Sequence, residues 1–73
     1  MTPEEKAKEI YDKYYTIVQM ADKYSYLTRD EEKYFSKESS LIAVEEILKT
    51  FFVPIQDGVK NYWQQVKQHL QSM

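Results

Sequence analysis

Tyrosine is the residue type in this sequence with the clearest potential for chemistry. The chain has seven tyrosines, three phenylalanines and one tryptophan among 73 residues. A tyrosine offers a flat ring for stacking and a hydroxyl for hydrogen bonding, and it loses little rotamer entropy on binding. These properties suit both protein interfaces and nucleobases. Packing in a core with the hydroxyl at the rim is the structural alternative for the same residues.

A row of basic residues follows the tyrosines of the first half of the chain. Arg29, Lys33 and Lys37 are spaced by four, so on a helix they form one cationic strip close to Tyr26. Such a strip can pair with phosphate groups, or it can be an ordinary solvated helix face. The residues that we predict to bind a ligand are Tyr11, Tyr15 and Tyr26 through their rings, and Arg29 and Lys33 through their charges.

Residues suited to catalysis or metal binding are scarce. The only histidine is His69, close to the end of the sequence, and there is no cysteine. Adjacent Glu45 and Glu46 point to different parts of a helix surface, and a single glycine cannot build a phosphate-binding loop. The sequence also lacks the spacing of known zinc and calcium motifs. We therefore predict no enzymatic activity, no metal site and no cofactor.

Composition and charge exclude several classes of partner. The net charge is −2, and no segment gathers the clustered basic residues that general binding to nucleic acid requires. No apolar run approaches the roughly 18 residues that span a bilayer, and the charged stretch Met1–Ile10 lacks the apolar region of a signal peptide. We expect a cytoplasmic protein that does not bind membranes.

The spacing of apolar residues predicts a long first helix. Thr2 and Glu5 match a capping box, and the helix is predicted from Pro3 to about Tyr24. Its apolar residues recur every three or four positions, which predicts packing along the whole helix. These residues are Ala7, Ile10, Tyr14, Ile17, Ala21 and Tyr24.

A second helix is predicted to return antiparallel after a short connection, residues 25–27. Thr28 and Glu31 favour a start at Thr28, and a start near Ser36 is the alternative, so residues 25–36 can be helix or loop. Pro54 ends this helix. Its apolar stripe consists of Leu41, Val44, Ile47, Leu48, Phe51 and Phe52.

A third helix completes the predicted fold. Asp57 is its predicted cap, and the turn between the second and third helices is predicted to include Gly58. Its apolar side consists of Val59, Tyr62, Trp63, Val66 and Leu70. The prediction is an all-α fold with a single domain over residues 1–73, a small three-helix bundle in which helices one and two form an antiparallel hairpin.

A bundle this small has no disulfide to stabilise it and cannot bury every apolar ring. We expect some of the rings to meet a partner, and we expect self-association into a homo-oligomer. The rings concerned are Tyr11, Tyr15, Tyr26, Phe35 and Trp63.

The stretches Met1–Glu9, Ser40–Ile47 and Tyr62–Gln68 resemble short, uncharacterised proteins encoded by phages and prophages of Bacteroidetes. Together they cover about a third of the chain. That family often has Cys where Ser39 stands and Asp where Glu45 stands. The resemblance implies a viral accessory protein expressed in the cytoplasm of a bacterial host.

The run Ser40–Glu46 and the helix-only build are also similar to phage sponge proteins, which sequester cyclic-nucleotide signals of bacterial immunity. Our leading hypothesis is therefore an anti-defence binding protein that sequesters a cyclic nucleotide messenger. The alternative is a protein-interaction module that blocks a host defence complex or scaffolds a phage assembly, with the same aromatic residues as interface anchors. The expected partners are a second copy of the chain and either a cyclic nucleotide or a host protein.

Overall fold

The computed structural model of this chain describes residues 1–22, 26–50 and 57–73. These residues form three helices and no strand: α1 (Pro3–Ala21), α2 (Arg29–Lys49) and α3 (Asp57–Gln71). Each helix packs against both of the others, which confirms the predicted all-α three-helix bundle. None of the described helices combines the length and the apolar character needed to cross a bilayer.

The two longer helices begin at capping boxes. The Thr2 hydroxyl accepts a hydrogen bond from the backbone N–H of Glu5 at 3.2 Å, and Glu5 Oε1 accepts one from the N–H of Thr2 at 3.0 Å. Thr28 and Glu31 make the same reciprocal pair, at 3.1 Å in both directions. Each pair satisfies backbone donors that have no partner inside the helix. The predicted start of α2 at Thr28 is confirmed, and the alternative start near Ser36 is wrong.

The connection between α1 and α2 is organised by one carboxylate. α1 ends at Ala21 rather than near Tyr24, which lies outside the described residues, because Asp22 leaves the helical conformation with φ −88° and ψ 67°. Asp22 Oδ1 accepts a hydrogen bond from the backbone N–H of Tyr26 at 2.9 Å, and Oδ2 accepts one from Leu27 at 3.0 Å. Asp22 thus fixes the path by which the chain returns to α2.

The core lies at one end of this hairpin. Its fully buried residues are Ala7, Val44, Val66 and Leu70, and the half-buried residues packed against them are Ile10, Tyr11, Leu41, Leu48, Tyr62 and Trp63. The first half of α1 therefore meets the second half of α2, so the predicted antiparallel hairpin is confirmed. Trp63 was among the rings predicted to lie outside the core, but it packs against this core.

α3 covers only part of the hairpin. It begins beside the start of α1, where the Tyr62 hydroxyl donates to the Met1 carbonyl oxygen at 3.2 Å. With 15 residues it is about 22 Å long, whereas the 19 and 21 residues of α1 and α2 extend about 28 and 31 Å. α3 therefore ends beside the middle of the hairpin, and residues 14–22 and 26–37 lie largely beyond it. We call these two segments the hairpin end.

The predicted burial of α1 along its whole length is wrong for this reason. Ile17 is 56% exposed and Ala21 is also exposed, although both continue the apolar spacing that includes the buried Ala7. A side chain at that spacing is buried only where a second and a third helix cover it.

Small polar side chains fill the contact face of α2 in the middle of the bundle. Ser36 and Ser40 are fully buried, and their hydroxyls donate to the carbonyl oxygens of Glu32 and Ser36 at 2.6 and 2.7 Å. These bonds satisfy both hydroxyls within α2, so the two serines are buried without an unpaired polar group. Of the predicted α2 stripe, Val44 is buried and Leu41, Ile47 and Leu48 are half-buried. Phe51, Phe52 and Pro54 lie outside the described residues.

The start of α3 differs from the prediction by one residue. Asp57 is the first helical residue rather than the cap, and Gly58 lies in the first turn of the helix rather than in a preceding turn. Val59, predicted on the apolar side, is exposed. Val66 and Leu70 are buried as predicted.

Candidate binding surface at the hairpin end

Two of the predicted ligand-binding residues, Tyr11 and Tyr15, form a stacked pair on α1. Their ring centroids are 6.0 Å apart and the ring planes differ by 17°. Tyr11 also packs against the core, and this burial raises the pKa of its hydroxyl, with smaller contributions from Tyr15 and Asp12. The Tyr11 ring is therefore engaged in packing, and both tyrosines of the pair are half-buried.

The other three predicted residues lie around the start of α2. Tyr26, in the connection, is 83% exposed. Arg29 is the first residue of α2 and Lys33 lies one turn further on, and both are exposed. Tyr15 also belongs to the hairpin end, but it precedes Asp22 by seven residues, or about 10 Å along the helix axis. The structure thus divides the predicted site into a tyrosine pair in the middle of α1 and a second group of three residues around the start of α2.

An open cleft lies between the ends of α1 and α2, which we call the hairpin-end cleft. It is lined by Val18, Ala21, Asp22, Leu27 and Phe35 and has a volume of about 280 Å³. None of the five predicted binding residues is among its lining residues. Its walls are mainly apolar, and the Asp22 carboxylate is already bonded to the backbone of the connection. The cleft can therefore accept an apolar group more readily than a charged one.

Large apolar side chains are exposed at the hairpin end, and one of them, Phe35, lines the cleft. Met20 is 71% exposed on another side of α1, and Tyr34 is exposed next to Phe35. The rings of Tyr34 and Phe35 contact each other edge to face, with centroids 5.6 Å apart. Together with Tyr26 these residues give the hairpin end an apolar, ring-bearing surface beside the cleft.

The sequence analysis did not identify the cleft. Phe35 was predicted as a ring that the bundle leaves uncovered, but Val18 and Leu27 were not singled out. The signal that was available is length: the segment after Pro54 is too short for a third helix as long as the first two, so α3 cannot cover the whole hairpin.

Ionisable groups elsewhere in the described chain are engaged in separate pairs. Glu45 forms an ion pair with Lys67 of α3 at 3.5 Å, and the adjacent Glu46 pairs with Lys49 at 3.2 Å. His69 is exposed in the last turn of α3. Residues 1–22, 26–50 and 57–73 contain no group of three histidine, aspartate or glutamate side chains placed to hold a metal ion.

No protein-family model, curated protein or solved structure matches the chain. The geometry of this surface is therefore the basis for a proposed function. The functional argument therefore starts from the hairpin-end cleft, the rings around it and the cations of the first turns of α2.

Proposed function

We propose that this chain is a protein-interaction module that binds its partner through the hairpin end. The observation that carries the proposal is the exposure of large apolar side chains beside an apolar cleft, in the part of the hairpin that α3 does not reach. Exposed apolar surface grouped in one region is typical of a site for another protein, whereas single exposed apolar residues need no explanation.

The size of the cleft favours a side chain over a whole small molecule. At about 280 Å³ it lies below the range of roughly 300–1,000 Å³ that pockets for drug-sized ligands occupy, and it is open to solvent. Such a cleft suits one apolar anchor residue presented by a partner, with the surrounding rings as the rest of the contact.

The charges near the cleft indicate which partner it prefers. Asp30, Glu31 and Glu32 form the acidic first turn of α2, and Asp22 lines the cleft. We propose a partner segment that carries an apolar anchor residue flanked by basic residues, because complementary charge favours encounter and orientation. The resemblance to phage proteins suggests that this partner belongs to a host defence complex or to a phage assembly in the bacterial cytoplasm.

Site-specific photocross-linking in host cells tests this proposal. A photoreactive phenylalanine analogue at Ala21, an exposed residue that lines the cleft, is expected to give a discrete adduct, whereas the same analogue at the exposed Gln64 on α3 gives none. The adduct should disappear when Leu27→Asp places a charge in the wall of the cleft, with retained helicity checked by circular dichroism. Absence of an adduct at Ala21, or an adduct that survives Leu27→Asp, would contradict the proposal.

Sequestration of a cyclic nucleotide is the second candidate function. It is favoured by the exposure of Tyr26, Arg29 and Lys33 at the same end of the hairpin, where a ring and two cations could meet a base and phosphates. The acidic residues between Arg29 and Lys33 oppose the binding of phosphates, which is why we rank this function second.

Calorimetric titration with a panel of cyclic di- and trinucleotides tests the second candidate. If the chain sequesters one of them, that nucleotide releases heat with the unmodified protein and with Lys60→Ala on α3. The heat is lost with Lys33→Ala. No heat with any member of the panel excludes this function and leaves the protein-interaction proposal untouched.

A further inference from the structure

One side of the α1–α2 hairpin carries a largely apolar surface that faces away from α3. It consists of Ile10, Tyr14 and Ile17 on α1 and of Phe35, Ser39 and Ile42 on α2, and we call it the open face. Ile10, Tyr14 and Ser39 are half-buried, and Ile10 also packs against the core. Ile42 is 60% exposed, and Ile17 and Phe35 are exposed as well. In both helices the residues are spaced by four and then three, the spacing of a seam between packed helices.

The contacts of the bundle show that the two rows lie side by side. Val18 and Phe35 line the same cleft, so Ile17 lies at the level of Phe35. Ile10 and Leu41 pack against the same core, so Ile10 lies at the level of Ile42. α3 occupies another side of α2, because Lys67 pairs with Glu45 and α3 packs with Leu41 and Leu48 in the core.

The two edges of the open face carry opposite charges. On α1, Lys6 and Lys13 each stand four residues before an apolar member of the face, Ile10 and Ile17. On α2, Glu31 and Glu38 stand four residues before Phe35 and Ile42. Glu9 lies between the two lysines and pairs with both, at 3.1 and 3.3 Å. These three α1 residues therefore sum to a charge of +1, whereas Glu31 and Glu38 sum to −2. Residues four apart are neighbours on a helix surface, so the α1 edge is the more basic of the two and the α2 edge is acidic.

We infer that the open face binds a second copy of this chain, to form a symmetric dimer with its twofold axis parallel to the helices. This axis sets α1 of one copy against α2 of the other, antiparallel and at the same level. Lys13 of each copy then meets Glu38 of the other. An axis across the helices would instead set α1 against α1 and bring the basic edges together. Charges beside an apolar seam select between such orientations.

The area of the face sets the strength of this dimer. A surface two helices wide and about 28 Å long offers on the order of 500 Å² per copy, at the low end of specific interfaces. We therefore expect a reversible dimer that dissociates in the micromolar range. This inference goes beyond the proposed function, because the open face shares only Phe35 with the cleft and the residues described beside it.

Sedimentation velocity over a range of protein concentrations tests the dimer. Ile42→Lys should give a monomer at every concentration, whereas Val59→Lys, a matched change at an exposed valine on α3, should leave the dimer intact. The two single variants Lys13→Glu and Glu38→Lys should each weaken the dimer about tenfold, since each breaks two attractive pairs and creates two repulsive ones. The double variant K13E/E38K should recover the original affinity. A monomeric wild type, or a dimer that Ile42→Lys leaves intact, overturns the inference.

Cross-linking tests the orientation, because the chain has no cysteine of its own. Lys13→Cys and Glu38→Cys chains, mixed and oxidised, should form a disulfide-linked pair, and neither variant should do so alone. Efficient linkage of Lys13→Cys to itself would falsify the orientation that we infer.

The two proposals fail separately. If the protein is monomeric but the Ala21 adduct depends on Leu27, the dimer is wrong and the partner-binding function stands. If the dimer forms with the predicted variants but Ala21 gives no adduct, the dimer stands and the function at the cleft is wrong.

Discussion

At the scale of single residues, polar side chains at the ends of the helices do much of the ordering. Thr2 and Thr28 each complete a reciprocal pair with a glutamate, and Asp22 holds two backbone N–H groups of the connection. The two threonine pairs were predictable, because both partners lie within four consecutive residues. Asp22 was not, because its hydrogen bonds depend on how the chain turns after α1.

Thr28→Ala should destabilise the protein by about 1 kcal/mol, since it removes the side-chain acceptor at the start of α2. The matched control is Thr16→Ala. The Thr16 hydroxyl donates to the Asp12 carbonyl oxygen within α1, and alanine is the better helix former there, so stability should be unchanged or slightly higher. Urea unfolding followed by circular dichroism measures both. Equal effects of the two variants would contradict the capping role.

The half-buried Tyr11 predicts a loss of stability in alkali. Its pKa is raised in the folded protein, so the unfolded chain releases this proton first. The contribution of Tyr11 is complete below the ordinary pKa of tyrosine and is lost as the pH rises through the folded value. We expect the free energy of unfolding of the wild type to fall more steeply above the ordinary tyrosine pKa than that of Tyr11→Phe. Parallel curves for the two proteins would show that Tyr11 is not buried as described.

At the scale of the elements, periodicity predicted the three helices because it depends only on the local sequence. It could not predict which part of a helix is buried. Ile10 and Ile17 have the same spacing on α1, yet Ile10 packs against the core and Ile17 is exposed. The difference comes from α3, whose length and position decide how far the core extends.

The placement of Gly58 in α3 gives a prediction at this scale. A Cβ added at Gly58 meets nothing within 4 Å, and the residue lies in the first turn of the helix. Gly58→Ala should therefore stabilise the protein by about 0.5 kcal/mol, because it lowers the entropy of the unfolded chain without a clash. Thermal unfolding measures the change. A lower midpoint would mean that this position needs a backbone conformation that only glycine adopts.

At the scale of the whole molecule, the bundle is a rod of 48 × 20 × 16 Å whose buried core is at one end. The candidate site was the least predictable feature for this reason. Tyr11, Tyr15, Tyr26, Arg29 and Lys33 were chosen for their chemistry, and all but Tyr11 lie at the hairpin end. The cleft itself results from a gap that appears only when three helices of unequal length are assembled.

Hydrogen exchange should show this division of the rod directly. Amides of residues 14–21 and 29–36 should exchange faster than those of residues 7–11 and 41–48, because α3 supports only the second set. Mass spectrometry of peptides from these segments measures the difference. The exchange is measured at a protein concentration below the dimer dissociation constant, so that a dimer interface cannot slow exchange at the open face. Uniform protection along α1 would contradict the picture of a core confined to one end.

The confinement of the core also bears on how the sequence can change. A substitution at Val44, Val66 or Leu70 removes packing on which the whole fold depends, whereas one at Met20, Tyr26 or Tyr34 alters a surface that contributes little to stability. Residues of the hairpin end could therefore change repeatedly during evolution, as a binding partner changes, without loss of the fold.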